Sequence, residues 1–164
     1  MSRARSTSHA EQRAAMLARA AELFARQGYA GTSMNEIAAA CGVSKATLYH
    51  YVLDKAELLA QIAQGHIDRL EAVLDEVEAR RLPPRPRLQQ LIERFVRAYA
   101  GAQHEHRVLT EDVRFLDAAA RQRVLDGERR VVRAFAAALA ELHPELSAAA
   151  LDKPLTMLLF GMIN

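Results

Sequence analysis

The chain is 164 residues long, 51% apolar but only 5% aromatic, without tryptophan, and its formal net charge is +2. At this length roughly 68–70% of the unfolded surface can be buried, so a real core is possible, and an abundance of alanine, leucine, arginine and glutamate favours helices packed on helices. A single cysteine, Cys41, excludes an intramolecular disulfide and any CxxC zinc spacing.

Export and membrane insertion find no support. The N-terminal MSRARSTSHAEQ has arginines but no apolar stretch of the kind a signal peptide needs. The longest apolar run, 155–163, falls short of the roughly 20 residues that span a bilayer. A cytoplasmic protein without a membrane partner is expected. The small net charge conceals an asymmetry: residues 1–55 hold seven Lys and Arg against four Asp and Glu, net +3, while residues 56–164 hold fifteen against sixteen, net −1. Positive potential on one end is what a phosphate-binding module requires.

Residues 1–7 are small, polar and basic and read as a flexible arm from which Arg3 and Arg5 can reach DNA. Ser8 with Glu11 three residues on is a capping-box pattern, which predicts that helix 1 starts at Ser8. Leu17, Ala20, Ala21 and Phe24 then share one face, and Gly28 supplies the left-handed closure. Ser33 with Glu36 repeats the start signal for helix 2, which carries Ile37, Ala38 and Cys41 inward; Cys41 reads as a small buried hydrophobe. Gly42 allows a sharp turn, Val43 plugs the angle, and Ser44 caps helix 3. This is a helix-turn-helix within residues 8–55.

Asp54 with Glu57 opens a long helix 4 to about residue 81, with Leu58, Ile62, His66 or Ile67, Leu70, Val73, Leu74 and Val77 at the helical period. Pro83, Pro84 and Pro86 stop it. A helical regulatory region, residues 56–164, follows, with helix 5 over about 87–102, helix 6 over 105–116, helix 7 over 119–142 and helix 8 from about Ser147. Helix 8 is still apolar at Asn164, which implies a covering partner subunit or further chain. The fold class expected is all-α, an N-terminal three-helix DNA-binding domain followed by a helical regulatory domain that reads as cut short at its C-terminus.

Helix 3 divides by angle. Leu48 and, one turn on, Tyr51 or Val52 can face the core, while Lys45, Thr47, Tyr49 and His50 can project outward. In a major groove a lysine reaches guanine acceptors and a threonine methyl touches thymine. Tyrosine, histidine and serine are short donors suited to phosphate oxygens, and Lys55 with the first amides of helix 4 makes a second phosphate site.

The run GYAGTSMNEIAAACGVSKATLYHYVLDKAELL, residues 28–59, closely resembles the DNA-binding domain of TetR-family transcriptional regulators, in both its T-S-M-x-x-I-A start and its V-S-x-x-T-L-Y-x-Y turn and reading helix. Val52 stands where that pattern has phenylalanine. The resemblance implies that Thr32, Ser44, Tyr49, His50 and Lys55 hold phosphates and that Lys45, Ala46 and Thr47 face bases. It implies that the helical regulatory domain is for ligand binding and dimerisation. It implies a homodimer on a palindromic double-stranded operator, most often a repressor, paired through the last two long helices, of which only helix 8 is present. The closing LTMLLFGMIN is similar to a branch linked to fatty-acid and aromatic-acid catabolism, some of whose members respond to acyl-CoA thioesters. The effector expected is therefore small and apolar or acyl-CoA-like.

For that effector, His66, Phe95, Tyr99, Leu109, Arg114, Phe115, Phe135 and Met157 are the candidate lining, with Leu116, Arg94 and Arg97 beside them. The same set also reads as a plain helical core. Gly65 next to His66 suggests a close approach to helix 4. His104 and His106 at i and i+2 do not share a helix face, so no metal and no cofactor are expected. No G-x-S-x-G, phosphate-cradling glycine loop or H-E-x-x-H occurs, so the chain is not read as an enzyme. The alternative function is a helical adaptor or assembly module without sequence-specific DNA binding.

Overall fold

The computed structural model describes residues 2–145 and 150–163, and among these the secondary structure is entirely helical. Eight α-helices are described: α1 Ser2–Gln27, α2 Met34–Ala40, α3 Lys45–Tyr51, α4 Lys55–Ala79, α5 Pro84–Ala100, α6 Gln103–Glu111, α7 Ala118–Leu142 and α8 Asp152–Ile163, with a single 3-10 turn at Val113–Phe115. They form two compact units, residues 1–66 with 104–121, and residues 67–103 with 122–164.

The first unit holds the helix-turn-helix. α1 begins at Ser2, not at Ser8, so the expected arm is helical. The reason lies in residues 2–7: no glycine or proline interrupts them, alanine and arginine are good helix formers, and a capping box is used only where the chain upstream leaves the helix. The other signals act as expected. Gly28, at φ +79, closes α1, its N–H donating to the Phe24 carbonyl at 2.8 Å. At α2 the Glu36 amide donates to Ser33 Oγ at 3.2 Å and the Ser33 amide to Glu36 Oε2 at 2.7 Å, a complete capping box. Gly42 turns at φ +66, and Ser44 Oγ accepts from the Thr47 amide at 3.0 Å. Before α4, Asp54 Oδ1 accepts from the Glu57 amide at 2.8 Å, while Glu57 reaches back to the Leu53 amide.

Met16, Ala20, Ala21 and Phe24 of α1, Ile37 and Ala38 of α2, Leu48 of α3, and Leu58, Leu59 and Ile62 of α4 make one core. Val52 is buried at the C-terminus of α3 and fills the place where the family pattern has phenylalanine. Val108 of α6 is fully buried in the same core. Segment 104–121 therefore packs with the helices of the helix-turn-helix, and the packing division falls elsewhere than a boundary at residue 55.

The second unit is built on Leu70, Leu74 and Val77 of α4, Leu88, Leu91, Phe95 and Tyr99 of α5, Val131, Phe135 and Ala138 of α7, and Phe160 of α8. The prolines that end α4 also open α5, which starts at Pro84 with Pro83 as N-cap, three residues earlier than expected. A first-turn proline gives up an amide that has no helical partner anyway. α4 and α7 touch at Gly127, where an added Cβ would lie 2.2 Å from Ile67 Cγ2. Gly65 has no heavy atom within 4 Å of its Cβ position, so the close approach expected there is found at Gly127 instead. Helix 6 is shorter than expected: it stops at Glu111 and gives way to the 3-10 turn. The expected start of helix 8 at Ser147 lies outside the described residues.

Candidate nucleic-acid interface

α3 faces the core with Leu48 and, half-buried, with Tyr51, and presents its other residues. Leu48 is fully buried, while Ser44, Lys45, Ala46, Thr47, Tyr49 and His50 are exposed. The cap holds the first turn rigid, with Ser44 Oγ and Thr47 Oγ1 2.8 Å apart. The Lys45 ammonium stands 5.9 Å from the Tyr49 ring centre, a separation at which the cation and the ring face attract weakly. At the other end of α3, the Tyr51 hydroxyl donates to Gln12 Oε1 at 2.5 Å, and the His9 ring lies 4.5 Å from the Tyr51 ring. α1 thus braces the C-terminus of α3.

Thr32 and Lys55, expected as phosphate holders, have hydrogen-bond partners within the protein. Thr32 is 2% exposed and its hydroxyl donates to the Gly28 carbonyl at 2.8 Å. The Lys55 ammonium donates to the Tyr29 and Thr32 carbonyls, both at 2.8 Å, and lies 4.4 Å from the Tyr29 ring centre. A charged donor makes a stronger hydrogen bond to a loop carbonyl than a neutral one does. Both residues staple the α1–α2 loop.

Tyr29, which the periodicity did not single out, is the centre of that loop. Its ring packs 5.3 Å from Phe24 and 5.1 Å from Phe115. Its amide is bonded to the Asp112 carboxyl. Burial pushes the Asp112 carboxyl above its ordinary range, and the Tyr29 amide offsets part of that shift.

The eight candidate effector residues are divided between the two units. Phe95, Tyr99 and Phe135 fill the core of the second unit, with Phe95 and Phe135 edge to face at 5.0 Å and Phe135 at 5.0 Å from Phe160. Burial, followed by the Glu128 charge, pushes the Tyr99 hydroxyl up to about 12. His66, Leu109, Arg114 and Phe115 belong to the first unit, and Met157 is exposed on α8. Arg114 lies over the Phe115 ring at 4.9 Å. His66 is buried against His106, Nε2 to Nδ1 3.2 Å, and burial holds the His106 imidazole below its ordinary value. The second unit does hold a cavity of about 450 Å³, walled by Leu74, Leu82, Leu91, Ala134 and Ala137 and rimmed by Glu78, Arg81, Arg87 and Glu141. Its walls depend on which small residues of α7 face α4 and α5, which one-dimensional periodicity does not specify.

Among the described residues no helix is long and apolar enough to cross a membrane. Residues 16–62 match the family model described as bacterial regulatory proteins, tetR family, and residues 81–164 match that of the tetracyclin repressor-like C-terminal domain. A TetR-family transcriptional regulator from Bordetella parapertussis is similar in structure, with 34% identity, a TM-score of 0.86, and coverage of 92% of this chain and 79% of that one. AibR, solved in complex with isovaleryl coenzyme A and operator DNA, is 28% identical with a TM-score of 0.75 over 93% of this chain and 83% of its own. The transcriptional activator FasR of Mycolicibacterium smegmatis is 35% identical over 85 residues, 52% of this chain and 39% of its own, so the match spans well under half of that relative. With both family models matched in their proper order along the chain, and the helix-turn-helix folded as the first describes, the protein belongs to the TetR family of bacterial regulatory proteins.

Proposed function

We propose that this protein is a one-component, cytoplasmic transcriptional regulator that binds a palindromic operator as a homodimer and is released from it by a small apolar or acyl-CoA-like effector, acting as a repressor. The observation that carries the reading is the exposed face of α3, opposite Leu48 and Tyr51, which face the core. In this reading Lys45, Ala46 and Thr47 meet base edges, and Ser44, Tyr49 and His50 meet phosphates. Thr32 and Lys55 act one step back, by holding the loop that aims α2 and α3.

α4 is one continuous helix that supplies side chains to the cores of both units. An effector bound in the second unit therefore acts on α3 through a shared element, and it releases DNA only by preferring the state whose recognition helices are wrongly spaced. The acyl-CoA assignment draws on AibR, whose structure holds isovaleryl coenzyme A together with operator DNA.

The test is selection of bound sequences from a random duplex pool, repeated with an acyl-CoA series. An inverted repeat with half-sites about 34–36 Å apart, or somewhat more, is expected, together with loss of binding on adding the matching thioester. Failure to enrich any sequence, with retention insensitive to salt, would replace this reading with that of a helical assembly module. Transcription from the selected site with and without protein decides the sign of regulation.

A further inference from the structure

The first unit contains a half-open cleft of about 380 Å³ between α1 and α3, lined by Gln12, Ala15, Met16 and Arg19 on one side and by Ala40, Cys41, Val43, Thr47 and Tyr51 on the other. We propose that this cleft is a ligand site within the DNA-reading unit, separate from the effector site of the proposed function, and that it takes a small molecule with an apolar body and a carboxylate.

The volume lies in the lower part of the range of ligand pockets, roughly 300–1,000 Å³. Its walls are apolar because small side chains, Ala15, Ala40 and Val43, stand where larger ones would close the gap beside Met16. Cys41 is half-buried, and burial pushes its thiol up, so it contributes a neutral wall and not a thiolate. The polar lining is mostly engaged within the protein. Tyr51 is bonded to Gln12, and the Thr47 hydroxyl to that of Ser44. Arg19 is the one charged residue of the lining, with no acidic residue among its neighbours there, and its charge acts on the Cys41 thiol. Its ion pair with Glu22, 2.9 Å, is solvent-exposed and holds it weakly. Glu22 also has Arg26 at 3.8 Å, so Arg19 can turn to an incoming carboxylate without leaving that glutamate alone.

An occupant wedges α1 from α3 at Thr47, one of the residues proposed to face bases. Operator affinity then falls, and by reciprocity bound operator lowers ligand affinity.

The test uses the full 164-residue chain, octanoate and 1-octanol as probes, and the rate at which N-ethylmaleimide alkylates Cys41, the only cysteine. Octanoate is expected to slow alkylation saturably. Arg19→Gln should weaken the octanoate effect about tenfold, the loss of one charge-assisted contact, and leave the octanol effect unchanged. Ala15→Leu, which fills the cleft from an exposed helix position, should remove protection by both. Protection that does not saturate by about 10 mM, a range of very weak binding, overturns the site, as does equal protection in wild type and both variants. Neither readout involves DNA, so the site stands or falls apart from the regulatory reading. Anisotropy on the selected operator then tests the coupling: octanoate should weaken binding by wild type and spare Ala15→Leu, and equal weakening of both overturns it.

Discussion

The Lys55 ammonium, at the first turn of α4, donates to the carbonyls of Tyr29 and Thr32 at 2.8 Å each and lies over the Tyr29 ring, so a residue 26 positions downstream closes the loop at the end of α1. Two of its three N–H donors are committed there. In the proposed reading it acts on DNA binding through the aim of α2 and α3.

Lys55→Ala is expected to cost about 1–3 kcal/mol of stability, because two loop carbonyls lose a charged donor. It should weaken binding to every DNA sequence alike while leaving the salt dependence unchanged. A salt slope reduced by about one would instead assign Lys55 to a phosphate. Chemical denaturation and anisotropy titrations over a salt series measure both.

Lys45→Ala should behave differently. Lys45 is exposed and does not anchor α3 in the core, so stability should hold while operator affinity falls and preference relaxes at one position, by about 1–3 kcal/mol if the lysine reads a base. Tyr49→Phe should lower affinity uniformly without shifting preference. Selected-site sequencing of the two variants separates these outcomes, and an unchanged site for Lys45→Ala removes it from base readout.

Two glycines inside helices should respond to alanine with opposite signs. Gly65 has open space at its Cβ position, so Gly65→Ala should raise stability by about 1 kcal/mol, the propensity gain of an interior helix site. Gly127→Ala places a methyl 2.2 Å from Ile67 Cγ2 and should cost about 1–3 kcal/mol through overpacking. Thermal melts of the two variants decide it, and a stabilised Gly127→Ala would show that α4 and α7 are not in this contact.

His106 should make stability fall on the acid side. Burial lowers its pKa in the folded chain, so the unfolded chain binds the proton more readily. The contribution is complete above the unfolded value of about 6.5 and is lost as pH drops from there toward the lower folded value. Protonation also sets a cation against His66, 3.2 Å away. Melting temperatures at neutral and mildly acidic pH should differ more for wild type than for His106→Gln, and equal differences would remove His106 as the source.

Much of the reader was legible because its signals are local. Ser33 with Glu36, Ser44 with Thr47, and glycines closing helices act over three or four residues through bonds the backbone itself offers, so spacing alone places them. Ser8 shows the limit even of a local rule, since a capping pattern is idle when the helix continues through it.

Fold class, helix order and the outward residues of α3 follow from periodicity and short-range capping, and these were determined by the sequence alone. Tertiary structure decided the rest: that Val108 of α6 joins the core of the helix-turn-helix, that Lys55 and Thr32 bond to a loop, that Tyr29 is its centre, and that Phe95 and Phe135 pack on each other. Each of these depends on a partner tens of residues away. Periodicity says which face of a helix is buried, and only the packed chain says against what.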